Sequence, residues 1–280
     1  MKRIALVAAM ALMLTTQVSA SPWVKSIATA QKNAKEKNQL ILVDLFAQWC
    51  GWCHRFEAEV FPSMVFQNAT EDLVLLRLDT EDGGEGSKFA RQYGVTSLPT
   101  FLLLSPDLSI AGIMRGYAPP NDFVRMLKDT REKYTDFQKR VKDESSIAKD
   151  YQKRLDLARE FMTRQSYAQA EPRFKKLVTE KDVTPAVRDQ AYYELAVAYT
   201  LQKKYGDGLK TVMKLTSLSK TGEPVERARL LAGQIYYEQG NFLSAANELR
   251  AFKAAYPNSP LIRNVDAVLP EVERRLAASK

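Results

Sequence analysis

Both cysteines of the chain lie two residues apart at a predicted junction between a strand and a helix. The 280 residues include two cysteines and one histidine, and all three fall in the run Trp49-Cys50-Gly51-Trp52-Cys53-His54. The apolar run 40–46 before it predicts a buried strand, and the pattern from Gly51 to about Phe61 predicts a helix that breaks near Pro62. A Cys-x-x-Cys pair at such a junction is typical of a thiol redox site in an α/β domain.

The predicted chemistry assigns different roles to the two thiols. Cys50 would lie at a helix N-terminus, where unpaired N–H groups and the helix dipole favour a thiolate. We therefore expect the pKa of Cys50 to lie well below that of an ordinary cysteine. Cys50 would attack a substrate disulfide, and Cys53 would resolve the mixed disulfide. Gly51 leaves the approach open, and Trp52 is placed to influence the redox poise.

Two other interpretations of the motif stay open. A purely structural disulfide is disfavoured, because so short a loop removes little entropy from the unfolded chain. The sequence Cys50-x-x-Cys53-His54 also matches the signature for covalent haem attachment, although the strands around it do not suit a small helical cytochrome. His54 could tune Cys50 or move protons, or it could be an ordinary exposed helix residue.

The first 20 residues have the pattern of a signal peptide. Lys2 and Arg3 precede an apolar stretch, and Val18-Ser19-Ala20 resembles a cleavage site. We expect a mature protein that starts at Ser21, does not span a membrane and resides in the periplasm. That compartment is oxidising, which suits a reactive cysteine pair.

The remaining residues are enough for two domains, and their composition changes along the chain. We expect a domain over residues 21–128, a connecting helix over 129–147 and a second domain over 148–280. Most of the net charge of +8 lies after residue 128. The basic residues there alternate with acids, so they indicate solvated helix surface and not a nucleic-acid partner.

The first domain alternates helices and strands. We predict a helix from Pro22 to about Lys37 with Ser21 as its cap, and a helix over 88–93 that ends at Gly94. Further strands are expected at 73–78, 100–104 and 110–114, and another helix from Asn121 onward. The acidic, glycine-rich run 79–86 lacks calcium-hand spacing, so it is predicted to be a surface loop, and no metal site or cofactor is expected.

Three segments resemble the thioredoxin family in the right order. They are the active-site segment 43–53, the segment 95–101 and Arg115-Gly116. The resemblance covers about residues 38–128 and, by the context Phe56-Glu57, is strongest to periplasmic thiol–disulfide exchange domains. It implies an α/β thioredoxin fold, with a central mixed sheet flanked by helices.

The resemblance also implies roles for supporting residues. Pro99 would be a cis proline that faces the disulfide, and Leu98 would offer its backbone to an extended substrate. Asp44 would be a buried acid beneath Cys53 that accepts its proton, and Trp49 would pack beside the motif. A carboxyl inside an apolar run is costly unless it is used, which favours this role for Asp44 over that of an ordinary strand-end residue.

This sequence departs from the thioredoxin pattern at three positions. Trp52 replaces a proline, Phe46 stands where tryptophan is common, and His54 replaces a lysine. These changes leave the direction of electron flow open between reductase, oxidase and isomerase.

The second half repeats with steps of 38 and 37 residues between Ala158, Ala196 and Gly233. Each of these small residues is followed at matching offsets by large apolar ones. The pattern resembles tetratricopeptide repeats, which implies an all-α array of helical hairpins. Pro172 is expected in the first turn of a second helix, and a capping helix over 259–278 is expected to break or kink near Pro270.

The sequence as a whole predicts an exported thiol–disulfide oxidoreductase that reduces protein disulfides. Its partners would be proteins with disulfides, a membrane thiol transporter as electron donor, and a peptide or protein bound by the repeats. The alternative is an interaction scaffold whose thioredoxin-like domain is not catalytic, and a haem-bearing electron carrier is a minor one.

Overall fold

The computed structural model describes residues 23–279. The expected signal peptide and the expected helix cap at Ser21 lie outside this range. The described chain divides into two compact units, of which the first comprises residues 23–108 and 113–129 and the second comprises residues 109–112 and 130–279.

The first unit is built on a four-stranded mixed sheet. Its strands are β1 (Ile41–Phe46), β2 (Val74–Asp79), β3 (Thr100–Leu104) and β4 (Ile110–Arg115), in the order β2-β1-β3-β4. β1 runs parallel to β2 and antiparallel to β3. Because β1 is central, five of its six residues are buried, as its almost unbroken apolar sequence predicts.

Five α-helices accompany these strands along the chain: α1 (Ile27–Lys37), α2 (Gly51–Arg55), α3 (Met64–Thr70), α4 (Glu85–Gln92) and α5 (Pro120–Lys142). A turn of π-helix over Phe56–Val60 continues α2. The helical run therefore ends two residues before Pro62, as predicted. The mixed sheet with its helices confirms the predicted α/β fold.

The first helix begins later than the sequence predicts. Val24 pairs with β2 instead: its N–H donates to the Leu75 carbonyl at 2.8 Å, and its carbonyl accepts from the Arg77 N–H at 2.9 Å. Helix α1 starts at Ile27, after Ser26. The prediction of a helix from Pro22 was therefore wrong, because a partner distant in sequence claims the backbone of Val24.

The acidic run 79–86 is not entirely a loop, since α4 already begins at Glu85. The Asp82 carboxylate accepts backbone N–H groups of Gly84, Gly86 and Ser87 at 2.7–3.0 Å. These hydrogen bonds hold the pKa of Asp82 far below its usual range. The predicted helix start at residue 88 was three residues late. The glycines before it indicated a loop, whereas the Asp82 carboxylate caps the first N–H groups of α4.

Helix α5 is 23 residues long and passes the expected boundary at residue 128 without interruption. A short 3-10 turn over Glu144–Ile147 follows it. The expected connecting segment 129–147 is thus mostly helical, and its first part belongs to the same helix that starts at Pro120.

From residue 151 onward, the described part of the second unit is helical, with three helix pairs and a final helix: α6 (Tyr151–Thr163), α7 (Tyr167–Thr179), α8 (Pro185–Leu201), α9 (Tyr205–Leu218), α10 (Glu223–Glu238), α11 (Phe242–Ala255) and α12 (Ile262–Ala278). Ala158 and Ala196 are fully buried, as are Phe174 and Leu215. Small residues therefore mark the helix crossings and large ones fill the space between pairs, which confirms the predicted helical-hairpin repeats.

Two prolines lie inside helices of the second unit. Pro172 is the sixth residue of α7, in its second turn and not its first. Pro270 lies inside α12, which continues through it without a break. Over residues 23–279, no helix combines the length and the apolar character that crossing a membrane would require.

Candidate thiol redox site

Cys50 and Cys53 form a disulfide at the start of α2, with Cα atoms 5.2 Å apart. The chain leaves β1 at Phe46, turns through a hydrogen bond from the Cys50 N–H to the Ala47 carbonyl, and enters the helix with Cys50 as its N-cap. The Cys50 sulfur accepts the N–H of Cys53 at 3.2 Å. A hydrogen bond to the sulfur favours its charged form once the disulfide is opened.

The two cysteines are buried between exposed neighbours. Cys50 and Cys53 are 3% and 2% exposed, whereas Trp49 and Trp52 are 67% and 55% exposed. Gly51 is exposed as well. Trp49 thus projects largely into solvent, although the family resemblance implies that it packs beside the motif.

His54 is anchored to the backbone next to the disulfide. Its Nε2 lies 2.8 Å from the carbonyl oxygen of Gln48, and its Nδ1 lies 3.8 Å from a carboxylate oxygen of Glu57. Because a carbonyl only accepts hydrogen bonds, Nε2 carries the hydrogen.

The turn of π-helix after α2 orients two acids near the motif. Phe61 donates to the carbonyl of Phe56, five residues earlier, at 3.0 Å. Phe56 is fully buried against Phe101 and Phe123, with ring centroids 4.8 and 5.1 Å away. The anchored Phe56 leaves the side chains of Glu57 and Glu59 at the surface, and π-turns of this kind recur at functional sites.

Asp44 is the buried acid of β1 and is 2% exposed. Its register partner on β2 is Arg77, whose Nε lies 3.0 Å from the Asp44 Oδ2 in an ion pair. Burial raises the pKa of Asp44 to about 7, although the charge of Arg77 opposes the shift. Asp44 can therefore take up or release a proton near neutral pH.

Arg77 contacts a second acid through another nitrogen of the same guanidinium, since its Nη2 forms an ion pair with the Glu57 Oε1. Its guanidinium carbon lies 4.0 Å from the centroid of the Phe46 ring, a stacking arrangement that suits arginine. The sequence analysis did not identify Arg77. The available signal was a lone cation in an apolar strand, opposite a lone acid in the strand predicted beside it.

A second cluster surrounds Trp52. The Arg55 guanidinium lies 5.6 Å from the Trp52 ring and 4.8 Å from the Tyr117 ring, and the two rings are 5.3 Å apart. Arg55 Nε donates to Glu59 at 2.8 Å, and the Tyr117 hydroxyl donates to the other oxygen of Glu59. The cluster joins α2 to the segment after β4, and no local sequence pattern pointed to Tyr117.

The Leu98–Pro99 peptide bond is cis, as the family resemblance implies. Pro99 is buried and Leu98 half-buried at the start of β3. The Pro99 carbonyl accepts the Gly116 N–H at 3.0 Å, which ties this loop to the end of β4. In the part of the chain that is described, no three His, Cys, Asp or Glu residues are grouped as a metal site would need.

Two family models match the chain. Residues 27–131 match a model described as a thioredoxin-like domain, and residues 155–214 match one described as a tetratricopeptide repeat. The thiol:disulfide interchange protein DsbD of Pseudomonas fluorescens is 35% identical over 106 residues, which are 37% of this chain and 18% of that protein. The chloroplastic thioredoxin-like protein CITRX of Solanum tuberosum is 32% identical over 34% of this chain and 49% of its own length.

Among solved structures, a DsbH oxidoreductase aligns with 16% identity over 45% of this chain and 95% of its own, at a TM-score of 0.37. The chain spans less than half the length of both curated relatives. The Cys50–Cys53 pair lies within the range that the thioredoxin-like model matches. The chain therefore carries a thioredoxin-like domain, matched over residues 27–131, followed by tetratricopeptide repeats, matched over residues 155–214.

Proposed function

We propose that this protein is an exported thiol–disulfide oxidoreductase that reduces protein disulfides. The observation that carries the proposal is the Cys50–Cys53 disulfide at the start of α2, within a thioredoxin-like domain. The name of the relative from Pseudomonas fluorescens, a thiol:disulfide interchange protein, supports the same chemistry.

The reaction balances through the two thiols alone. The Cys50 thiolate attacks one sulfur of the substrate disulfide and forms a mixed disulfide, while the other substrate sulfur leaves as a thiolate. Cys53 loses its proton and attacks Cys50, so the second substrate sulfur leaves. Two electrons pass to the substrate, and Cys50 and Cys53 end as a disulfide. A thiol donor, which we propose is a membrane thiol transporter, must then reduce the pair.

We propose supporting roles for the residues around the disulfide from their positions in the thioredoxin-like domain. Asp44 takes the proton that Cys53 loses, for which a buried carboxyl with a pKa of about 7 is suited. Leu98 and Pro99 present backbone to an extended substrate. The exposed Trp49 and Trp52 flank the disulfide, with Gly51 open between the cysteines, and His54 borders the motif.

Replacement of one cysteine at a time tests the reaction. Cys50→Ser should abolish dithiol-dependent reduction of a test disulfide. Cys53→Ser should instead trap the substrate as a mixed disulfide, visible by mass spectrometry. Activity retained in Cys50→Ser would end the proposal and favour the scaffold alternative, in which cysteine variants keep full biological function.

The reduction potential of the pair decides the direction of electron flow. Equilibration against glutathione should give a value near or below about −220 mV, as in thioredoxin and glutaredoxins. A value near about −120 mV would make the protein an oxidant. An absorption spectrum of the same sample tests the haem alternative, which requires a Soret band.

Export is proposed from the sequence pattern of the first 20 residues. Sequencing of the N-terminus of the purified protein from a bacterial host should give Ser21 as the first residue, and the protein should appear in the periplasmic fraction. A chain that keeps Met1 in the cytoplasm would contradict the proposal.

We propose that the repeats bind the protein substrate or a partner, as helical repeat arrays do on extended surfaces. Because α5 runs to Lys142, a cut at residue 128 would sever it, and a chain that ends at residue 147 is the better truncation. It should reduce a small-molecule disulfide as fast as the full chain and its protein substrate more slowly. Equal rates on both would exclude a binding role of the repeats.

A further inference from the structure

A continuous line of charged groups runs from the buried acid of β1 to the surface beside the disulfide. Asp44 pairs with Arg77, Arg77 with Glu57, and Glu57 approaches His54. The side chains become more accessible along this line: Asp44 is 2% exposed, Arg77 21% and Glu57 37%. The buried Asp44 and the more exposed Glu57 therefore share one guanidinium, that of Arg77.

Arg77 is the charged group that acts on Asp44 directly. On β3, the residue opposite Asp44 is Phe101, which carries no charge. On β2 the opposite residue is Arg77 itself, and the π turn contributes Glu57 through Arg77. The proton affinity of Asp44 is thus set by its burial, which favours the neutral acid, and by Arg77, which favours the carboxylate.

A guanidinium that pairs with two carboxylates stabilises the ionised form of each one less than it would stabilise a single partner. Arginine stays charged at all relevant pH values, and its fork can bind two acids at different nitrogens. The negative charge of Glu57 offsets part of the positive charge of Arg77 that Asp44 would otherwise feel. The ion pair of Glu57 with Arg77 places this negative charge on the same guanidinium that pairs with Asp44.

We propose that Glu57 is a positioning residue that shares Arg77 with Asp44 and so weakens the hold of the guanidinium on the buried carboxylate. The inference rests on the proposed function, in which Asp44 accepts the proton that Cys53 loses before it attacks Cys50. Without Glu57, Arg77 would keep Asp44 ionised to lower pH, and Asp44 would be a poorer proton acceptor.

Glu59 provides a matched control for Glu57. Both acids lie in the same π turn, two residues apart, but Glu59 pairs with Arg55 and Tyr117 and not with Arg77. Substitution of either glutamate by glutamine removes one negative charge from the same turn. Only Glu57→Gln removes the charge that shares Arg77.

The test is the titration of Asp44 in the oxidised full-length protein. The protein is labelled with ¹³C at aspartate carboxyl carbons, and the Asp44 signal is assigned as the one missing from Asp44→Asn. In Glu57→Gln the midpoint should fall by roughly one pH unit, a tenfold weaker proton affinity. In Glu59→Gln the midpoint should stay where it is in the unchanged protein. Equal midpoints in both variants would overturn the proposal.

Arg77→Met adds a change in the opposite direction. Loss of the guanidinium should raise the Asp44 midpoint in the same experiment, and adding Glu57→Gln to Arg77→Met should then shift it much less than in the native background. A full additional shift would show that Glu57 acts on Asp44 without Arg77, which contradicts the proposal.

The titration needs no turnover, so its outcome is separate from that of the proposed function. If the Asp44 midpoint shifts in Glu57→Gln but Cys50→Ser retains activity, Glu57 is coupled to Asp44 through Arg77, but the coupling has no role in thiol–disulfide exchange. An unshifted midpoint with an inactive Cys50→Ser would leave the oxidoreductase and remove the role of Glu57.

Discussion

The two units of this protein are organised by different kinds of contact. In the helical repeats, neighbouring helices in the sequence pack on one another, and the same small and large residues recur every 37 or 38 positions. In the thioredoxin-like unit, the important partners are distant: Asp44 meets Arg77, and Trp52 meets Tyr117. The packing of the repeats therefore follows from contacts between neighbouring helices, whereas the chemistry of the first unit depends on pairs of residues far apart in the sequence.

The tryptophans allow the two units to be observed separately. All three, Trp23, Trp49 and Trp52, belong to the first unit. Tryptophan fluorescence therefore follows that unit alone, while far-UV circular dichroism is dominated by the long helices of the repeats. In oxidised protein titrated with urea, these two signals therefore report on the unfolding of the two units separately.

Phe174→Ala should have the largest effect. Phe174 is fully buried in the core of the first repeats, and loss of such a ring costs about 3–5 kcal/mol. The transition seen by circular dichroism should move to lower urea, while the fluorescence transition stays in place. A matching shift of both signals would show that the two units unfold as one cooperative structure, and that the repeats are not stabilised independently of the first unit.

Asp44→Asn should stabilise the first unit in a pH-dependent way. The pKa of Asp44 is raised to about 7, so between roughly pH 4 and 7 the folded chain holds a proton that the unfolded chain has lost. The free energy of unfolding of the native protein therefore falls as pH rises through this window, by up to about 4 kcal/mol for a shift of some three pH units.

The variant lacks this titration. Its free energy of unfolding should exceed that of the native protein by a few kcal/mol at pH 8 and by close to zero at pH 4. The difference at pH 8 is somewhat reduced because Arg77 loses its counter-charge. Fluorescence-detected unfolding at both values checks it. A gain that is independent of pH would mean that Asp44 is ionised throughout and that burial does not control its proton affinity.

The sequence predicted most of what is local and little of what is distant. Both ends of β3 were predicted correctly, because an apolar run bounded by Pro99 and a turn is a complete local signal. The crossing points Ala158, Ala196 and Gly233 also followed from periodicity alone. The start of α1 was missed because Val24 pairs with β2, and the link from Arg77 to Glu57 was missed because no local pattern joins residues 20 positions apart.

Two glycines, one in each unit, differ in how closely other parts of the chain approach them. A Cβ on Gly86, in the first turn of α4, would lie 2.0 Å from the backbone oxygen of Asp79, which cannot move without distorting the end of β2. A Cβ on Gly233, in α10, would lie 3.3 Å from the end of the Leu249 side chain, which can rotate. Close backbone approach thus requires glycine at position 86, whereas at position 233 glycine serves as a small residue inside a helix.

We therefore expect Gly86→Ala to destabilise the first unit by about 1–3 kcal/mol or more, since overpacking against backbone is not relieved. Gly233→Ala should change the repeats by less than about 1 kcal/mol, because the better helix propensity of alanine offsets the closer contact with Leu249. Urea titrations read by fluorescence for the first variant and by circular dichroism for the second measure both. If Gly233→Ala proves as costly as Gly86→Ala, the repeats are packed as rigidly as the sheet edge, and the distinction between the two units would apply to their chemistry but not to their packing.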